Sequence, residues 1–115
     1  MGRRNRQRER IVARVSEYRD LDGNALKLRG SLSAGSRREY AVVIAGGIER
    51  EDGWQRGVEF LFERLAVSWS IEGLEIDRQK ELLGRYRLAS GEERRFVRDS
   101  LREHVNEHFP ELQAP

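Results

Sequence analysis

The stretch Val58 to Gly73, VEFLFERLAVSWSIEG, constrains what this chain can fold into more than any other. Val58, Leu61, Phe62, Leu65, Ala66 and Trp69 recur at i, i+3, i+4, i+7, i+8 and i+11, the apolar stripe of an amphipathic helix. Phe60 and Val67 widen the stripe until the helix is apolar almost all round. Such a helix is either the centre of a core or a surface on which a partner docks. The spacing predicts a helix that starts near Glu51 or Asp52, whose charge suits a helix N-terminus. It runs to about Ser70 and leaves through Ser70-Ile71-Glu72-Gly73.

The flanking segments supply smaller elements. Asp22-Gly23-Asn24 is a turn signal, because Gly supplies positive φ and Asn tolerates it. Beyond it Leu26, Leu28 and Leu32 fall at even spacing, with Lys27 and Arg29 on the other face, which predicts a half-buried strand. Val15 to Asp20 is its expected partner. Ser36-Arg37-Arg38-Glu39 reads as a capping box, with Ser33 as an alternative cap. The helix it opens, through Tyr40, Val43 and Ile44, should end at Gly46-Gly47. Asp77 can cap a third helix with Leu82, Leu83 and Tyr86 on its apolar face and Leu88 near its end. Ser90-Gly91-Glu92-Glu93 is a second capping box. It opens a fourth helix with Phe96, Val97, Leu101, His104, Val105 and His108 on one side, stopped by Pro110. The expected fold is α+β and mostly helical: an N-terminal β-hairpin followed by about four helices packed around a central amphipathic helix.

A chain of 115 residues is expected to form one domain with one modest core. The expected division is a basic arm over residues 1–14, flexible or helical, a globular domain over 15–110 and a C-terminal tail over 111–115. The arm carries Arg3, Arg4, Arg6, Arg8, Arg10 and Arg14 against Glu9 alone. Such an arm can follow phosphates by counterion release, can be a solvated end, or can fold back on the acidic body. No aromatic residue interleaves it, so it has no platform for base stacking. The absence of cysteine excludes disulfides, thiol catalysis and Cys-based zinc sites, and fits a reducing compartment. No run has the length of a membrane span, and the basic N-terminus lacks the apolar stretch of a secretory signal. The expected location is the cytoplasm.

Few residues suggest chemistry. His104-Val105-Asn106-Glu107-His108 matches H-x-x-E-H, which places two histidines four apart on one helix face where they could share a zinc. A catalytic zinc needs a third protein ligand, only seven residues follow His108, and the chain has no other histidine. The expectation is therefore two surface or rim histidines, with no metal and no cofactor. Acid pairs such as Glu92 and Glu93 sit at helix starts, where acids are favoured anyway, and no catalytic residue is assigned. Arg94, Arg95, Arg98 and Arg102 would suit a DNA-reading helix. Glu92, Glu93, Asp99, Glu103 and Glu107 share that helix and would repel phosphates. Trp69 continues the buried stripe, whereas Trp54 lies in the first turn of the same helix, at a rim or an interface.

The strand Ala25-Leu26-Lys27-Leu28-Arg29, a small helix after it, and then an apolar helix closing in Trp69-Ser70-Ile71-Glu72-Gly73 resemble the tail assembly chaperones of long-tailed phages and prophage remnants, particularly those of actinobacterial hosts. The likeness covers roughly residues 15–108. It implies a non-enzymatic role in a bacterial cytoplasm, where such proteins coat the long apolar helix of a tape-measure protein until tube subunits polymerise around it. The corresponding surface here would be an apolar face made of Trp54, Phe60, Phe62, Leu65 and Trp69, receiving a helical protein partner. Two alternatives stand beside it. One is a small nucleic-acid-associated accessory protein acting through the arginine arm. The other is an oligomeric subunit of a larger assembly, with the apolar helix at a homo-oligomer interface.

Overall fold

The first hairpin forms around the expected turn. Asp20 is its organiser: its Oδ1 accepts from the backbone N–H groups of Asp22 and Asn24, each at 2.9 Å. Gly23 takes the positive φ of 84° that the turn requires. The flanking strands are β1 (Val15–Arg19) and β2 (Ala25–Arg29). The computed structural model describes residues 14–46 and 50–115; of the predicted arm, it therefore includes only Arg14. After β2 come α1 (Ala34–Ala45), α2 (Arg50–Leu65), β3 (Ala66–Ile71), β4 (Leu74–Ile76), α3 (Gln79–Arg87) and α4 (Gly91–His108). The described residues thus run twice through strand, strand, helix, helix. These four strands form one antiparallel sheet in the order β1-β2-β3-β4.

The α+β class is as expected, but the long helix is not. It stops at Leu65, and the rest of the predicted apolar stripe is strand β3. The reason lies in two overlapping periods. Trp69 fits the helical stripe, yet Val67, Trp69 and Ile71 also alternate with Ser68 and Ser70. Val and Ile favour a pleated surface, and Ser adds little helix propensity. In the sheet β3 pairs with β2 on one side and β4 on the other, so its backbone groups are satisfied on both edges. The supposed helix exit is a two-residue hairpin turn, with positive φ at both Glu72 (52°) and Gly73 (81°), the primed geometry that matches strand twist. Asn24 Oδ1 accepts from the Glu72 N–H at 3.0 Å, which ties the two hairpin turns together at one end of the sheet.

Strand register builds one apolar row. Tyr18 pairs with Leu26, Leu26 with Trp69, and Trp69 with Ile76. Directly paired residues project from the same face, so this row crosses all four strands and packs into the core. From α2, Leu61, Phe62 and Leu65 come down on it fully buried. Phe62 meets Trp69 edge-on at 5.8 Å and stacks on Tyr86 of α3 at 5.1 Å.

The helix ends follow local chemistry, with two departures. The Ser90–Glu93 capping box on α4 is complete. Glu93 also binds Arg85 at 2.6 Å, and that bond, with the cap, holds its carboxyl below the usual range. Gly46 caps α1 at its C-terminus, but Ser33 rather than Ser36 caps its start, while Glu39 pairs with Arg64. Asp77 caps nothing: α3 begins after Arg78 without a side-chain cap. Leu82 and Tyr86 of α3 are buried, whereas Leu88 is exposed and takes no part in the apolar face.

Helices α1 and α2 approach closely because two glycines permit it. A Cβ at Gly53 would stand 2.6 Å from the Ile44 carbonyl oxygen, and one at Gly57 would stand 2.7 Å from Ile44 Cγ2. The first obstacle is backbone and cannot rotate away. Overpacking of this kind costs about 1–3 kcal/mol, against roughly 1 kcal/mol gained by Ala over Gly in a helix. Gly53→Ala is therefore expected to lower the urea midpoint, despite the better helix former, with an unchanged denaturant slope in the same titration.

Candidate functional site

Helix α4 is fixed to the edge strand by a polar seam. Along a strand, alternate residues lie about 6.7 Å apart. Along a helix, residues four apart are separated by about 6 Å. Ser16 and Tyr18 on β1 therefore match His108 and His104 on α4. The Tyr18 hydroxyl lies 2.8 Å from His104 Nδ1, and Ser16 Oγ lies 3.2 Å from His108 Nε2. His104 Nε2 lies 2.8 Å from the Arg29 carbonyl. A carbonyl only accepts, so Nε2 carries the proton and donates. In the neutral ring, Nδ1 then accepts from the Tyr18 hydroxyl.

This arrangement revises the histidine expectation. His104 is not a surface residue but is fully buried, and His108 is half-buried. Both ring nitrogens of His104 are engaged by protein, which leaves no lone pair free for a metal. Among the described residues, no group of three His, Asp or Glu side chains is placed to hold a metal ion. The H-x-x-E-H spelling here is a packing device between a helix and a strand.

With α4 held in rotation by this seam, its outer surface divides by charge. Winding at about 100° per residue places Arg94, Arg98 and Arg102 on one flank with Arg95 beside them. Asp99, Glu103 and Glu107 fall on the other flank. The acids therefore do not alternate with the arginines around the helix, as their order in the chain suggests; the two signs occupy separate stripes. The acidic stripe, with Asn106, borders a shallow surface hollow. The arginine stripe faces α2 across a groove of about 590 Å³.

This groove is the candidate site. Its α2 wall carries Glu51, Asp52, Arg56 and Glu59, and its α4 wall carries the four arginines together with Asp99. Val58 and Tyr86 are buried beneath it, and Trp54 lines it half-buried. Most α2 charges are already paired: Asp52 with Arg56 at 2.9 Å, and Glu59 with Arg87 of α3. On the other wall, Arg94 lies over the Tyr86 ring and donates to the Arg87 carbonyl, and Arg102 donates to the Pro115 carbonyl. Arg95 and Arg98 are exposed. Among the described residues, neither has an ion-pair partner.

The five residues predicted to form one apolar face do not do so. Phe62, Leu65 and Trp69 are sealed in the core, at 0%, 0% and 1% exposure. Phe60 is half-buried toward α1, 6.3 Å from Tyr40 and beneath the Arg64 guanidinium. Only Trp54 remains at a groove. Arg3, Arg4, Arg6, Arg8 and Arg10 lie outside the described residues. Arg14 is exposed, and its carbonyl accepts from the Gly30 N–H. Among the described residues, no helix is long and apolar enough to cross a membrane. Comparison with protein-family models, with curated proteins and with solved structures returned no match.

Burial lowers the pKa of His104 below its ordinary 6.5, and neighbouring His108 adds to that; the Arg29 carbonyl and Glu107 act in the opposite direction. The unfolded chain therefore takes up this proton at higher pH than the folded one. The stability tied to the neutral ring is complete above about pH 6.5 and is lost as pH falls through the folded value. Urea titrations at pH 7.5 and 5.5 should show a larger drop for the native chain than for His104→Gln. Equal drops in the two proteins would remove His104 as the cause.

Proposed function

We propose that this protein is a non-enzymatic protein-binding module, an assembly factor that receives a helical segment of another protein in the groove between α2 and α4. The observation that supports this reading is the make-up of that groove. It has charged walls of opposite net sign, buried apolar residues beneath it and a half-exposed Trp54 at its side. A groove between two helices suits the helix-in-groove mode of recognition, and tryptophan is the residue type most often dominant at such contacts. The acidic residues of the α2 wall disfavour a continuous phosphate backbone lying against it. The reading retains the role expected of a tail assembly chaperone in a bacterial cytoplasm, with a long helical structural protein as partner. It moves the docking surface from the buried aromatic residues to Trp54 and the α4 arginines.

Affinity capture of the tagged full chain from a bacterial host lysate, with and without nuclease, tests this proposal. The expected result is a helical protein partner retained after nuclease treatment and depleted by Trp54→Ala. Loss of a hot-spot tryptophan costs about 2 kcal/mol or more, roughly thirtyfold in Kd. Partners that vanish with nuclease, and are unaffected by Trp54→Ala, would transfer the function to the arginine arm and nucleic acid.

A further inference from the structure

We infer that the segment received by this groove is an amphipathic helix of another protein, two to three turns long, with carboxylates along the flank that meets α4. The inference rests on the protein-binding reading above and adds the chemistry of the partner. Length comes first. The α2 wall runs from Glu51 to Glu59 and the α4 wall from Gly91 to Arg102. At 1.5 Å per residue these walls are about 12 and 16 Å long, the span of about 8–11 helical residues.

Charge comes next. Asp52 and Glu59 on α2 already have cationic partners in Arg56 and Arg87. On α4, Arg95 and Arg98 project from one rigid helix, three residues apart and exposed. Among the described residues, Glu51 and Asp99 also line the groove without an ion-pair partner, but Arg94 and Arg102 lack acidic partners as well. The unspent charge among these residues is therefore net positive and lies on the α4 wall. Guanidinium forks match carboxylates in a planar, two-bond geometry that an ammonium group does not reproduce. An acidic flank on the incoming helix engages both arginines, while its apolar ridge covers Trp54 above Val58 and Tyr86.

A second copy of this chain fits less well. Its own acidic helical flank, Asp99, Glu103 and Glu107, does supply carboxylates at helical spacing. The apolar side of that helix, Val97, Leu101 and Val105, is buried in its own core, so no apolar ridge accompanies the acids. Nucleic acid would have to bring phosphates past Glu51 on the opposite wall.

The test uses the purified full chain and two synthetic helical peptides. Both carry the same leucine ridge, one with glutamate along a flank and the other with lysine at the same positions. Binding is followed by anisotropy of a dye on the peptide. The glutamate peptide is expected to bind at least about tenfold more tightly, a difference of roughly 1.4 kcal/mol, and to weaken with salt. The double variant Arg95→Glu with Arg98→Glu should reverse the order of the two peptides. Equal binding of both, or an unchanged order in the double variant, overturns the inference. So does self-association that the glutamate peptide cannot compete, or a single-stranded oligonucleotide that displaces it through the same arginines. If neither peptide binds while capture from lysate still depends on Trp54, the acidic-helix inference fails and the protein-binding reading stands. If capture is indifferent to Trp54→Ala, that reading fails as well.

Discussion

Everything in this fold is arranged around the passage from Leu65 to Ala66, where a helix becomes a central strand with no connecting residue. The end of α2 is thereby anchored over the middle of the sheet, and Phe62 and Trp69 are brought into contact. Burying a tryptophan removes about 150–250 Å² from water, worth about 4–6 kcal/mol in transfer free energy. That is comparable with the whole net stability of a typical small domain. The other elements fit themselves to this anchor. Helix α1 closes over α2 through Gly53 and Gly57, and α3 presents Tyr86 to Phe62 from another direction.

The sequence was legible where one local signal had no competitor. The Asp20–Asn24 hairpin, the Ser90–Glu93 box and the stop before Pro110 are fixed by backbone chemistry within a few residues, and they appear as read. The second hairpin was missed because Trp69 satisfies two periods at once; only the pairing of β3 with β2 and β4 decides between them. Alternation of Val67, Trp69 and Ile71 with two serines, followed by Glu72-Gly73, was the available clue. The site was less legible. Charge order along α4 looks mixed, whereas winding the same residues about a helix axis separates the signs. That the arginine flank faces α2, and that Trp54 stands beside it, depends on contacts distant in the chain.

The seam on β1 and the groove are two sides of one helix, and they have different duties. The seam side is neutral and internally satisfied, with each nitrogen of His104 paired, and this makes it a poor place for a ligand. The groove side keeps charge that the protein does not use for its own cohesion. The separation has a physical logic. Groups that have no internal partner retain their full hydration in the free protein and give it up only for a partner that matches them, so they confer specificity rather than stability.

The Tyr18–His104 and Ser16–His108 contacts join residues 86 and 92 positions apart, across most of the 115-residue chain. Contacts of such long range are non-local, and their loop-closure cost must be met before they contribute. The seam joins the first strand to the last helix of the described residues. Strand β1, paired with β2 at five register positions, covers an edge of β2 that would otherwise be open to another strand, and the seam adds side-chain contacts that hold β1 against α4. Two hydroxyls and two imidazoles thus help to keep that edge of β2 covered.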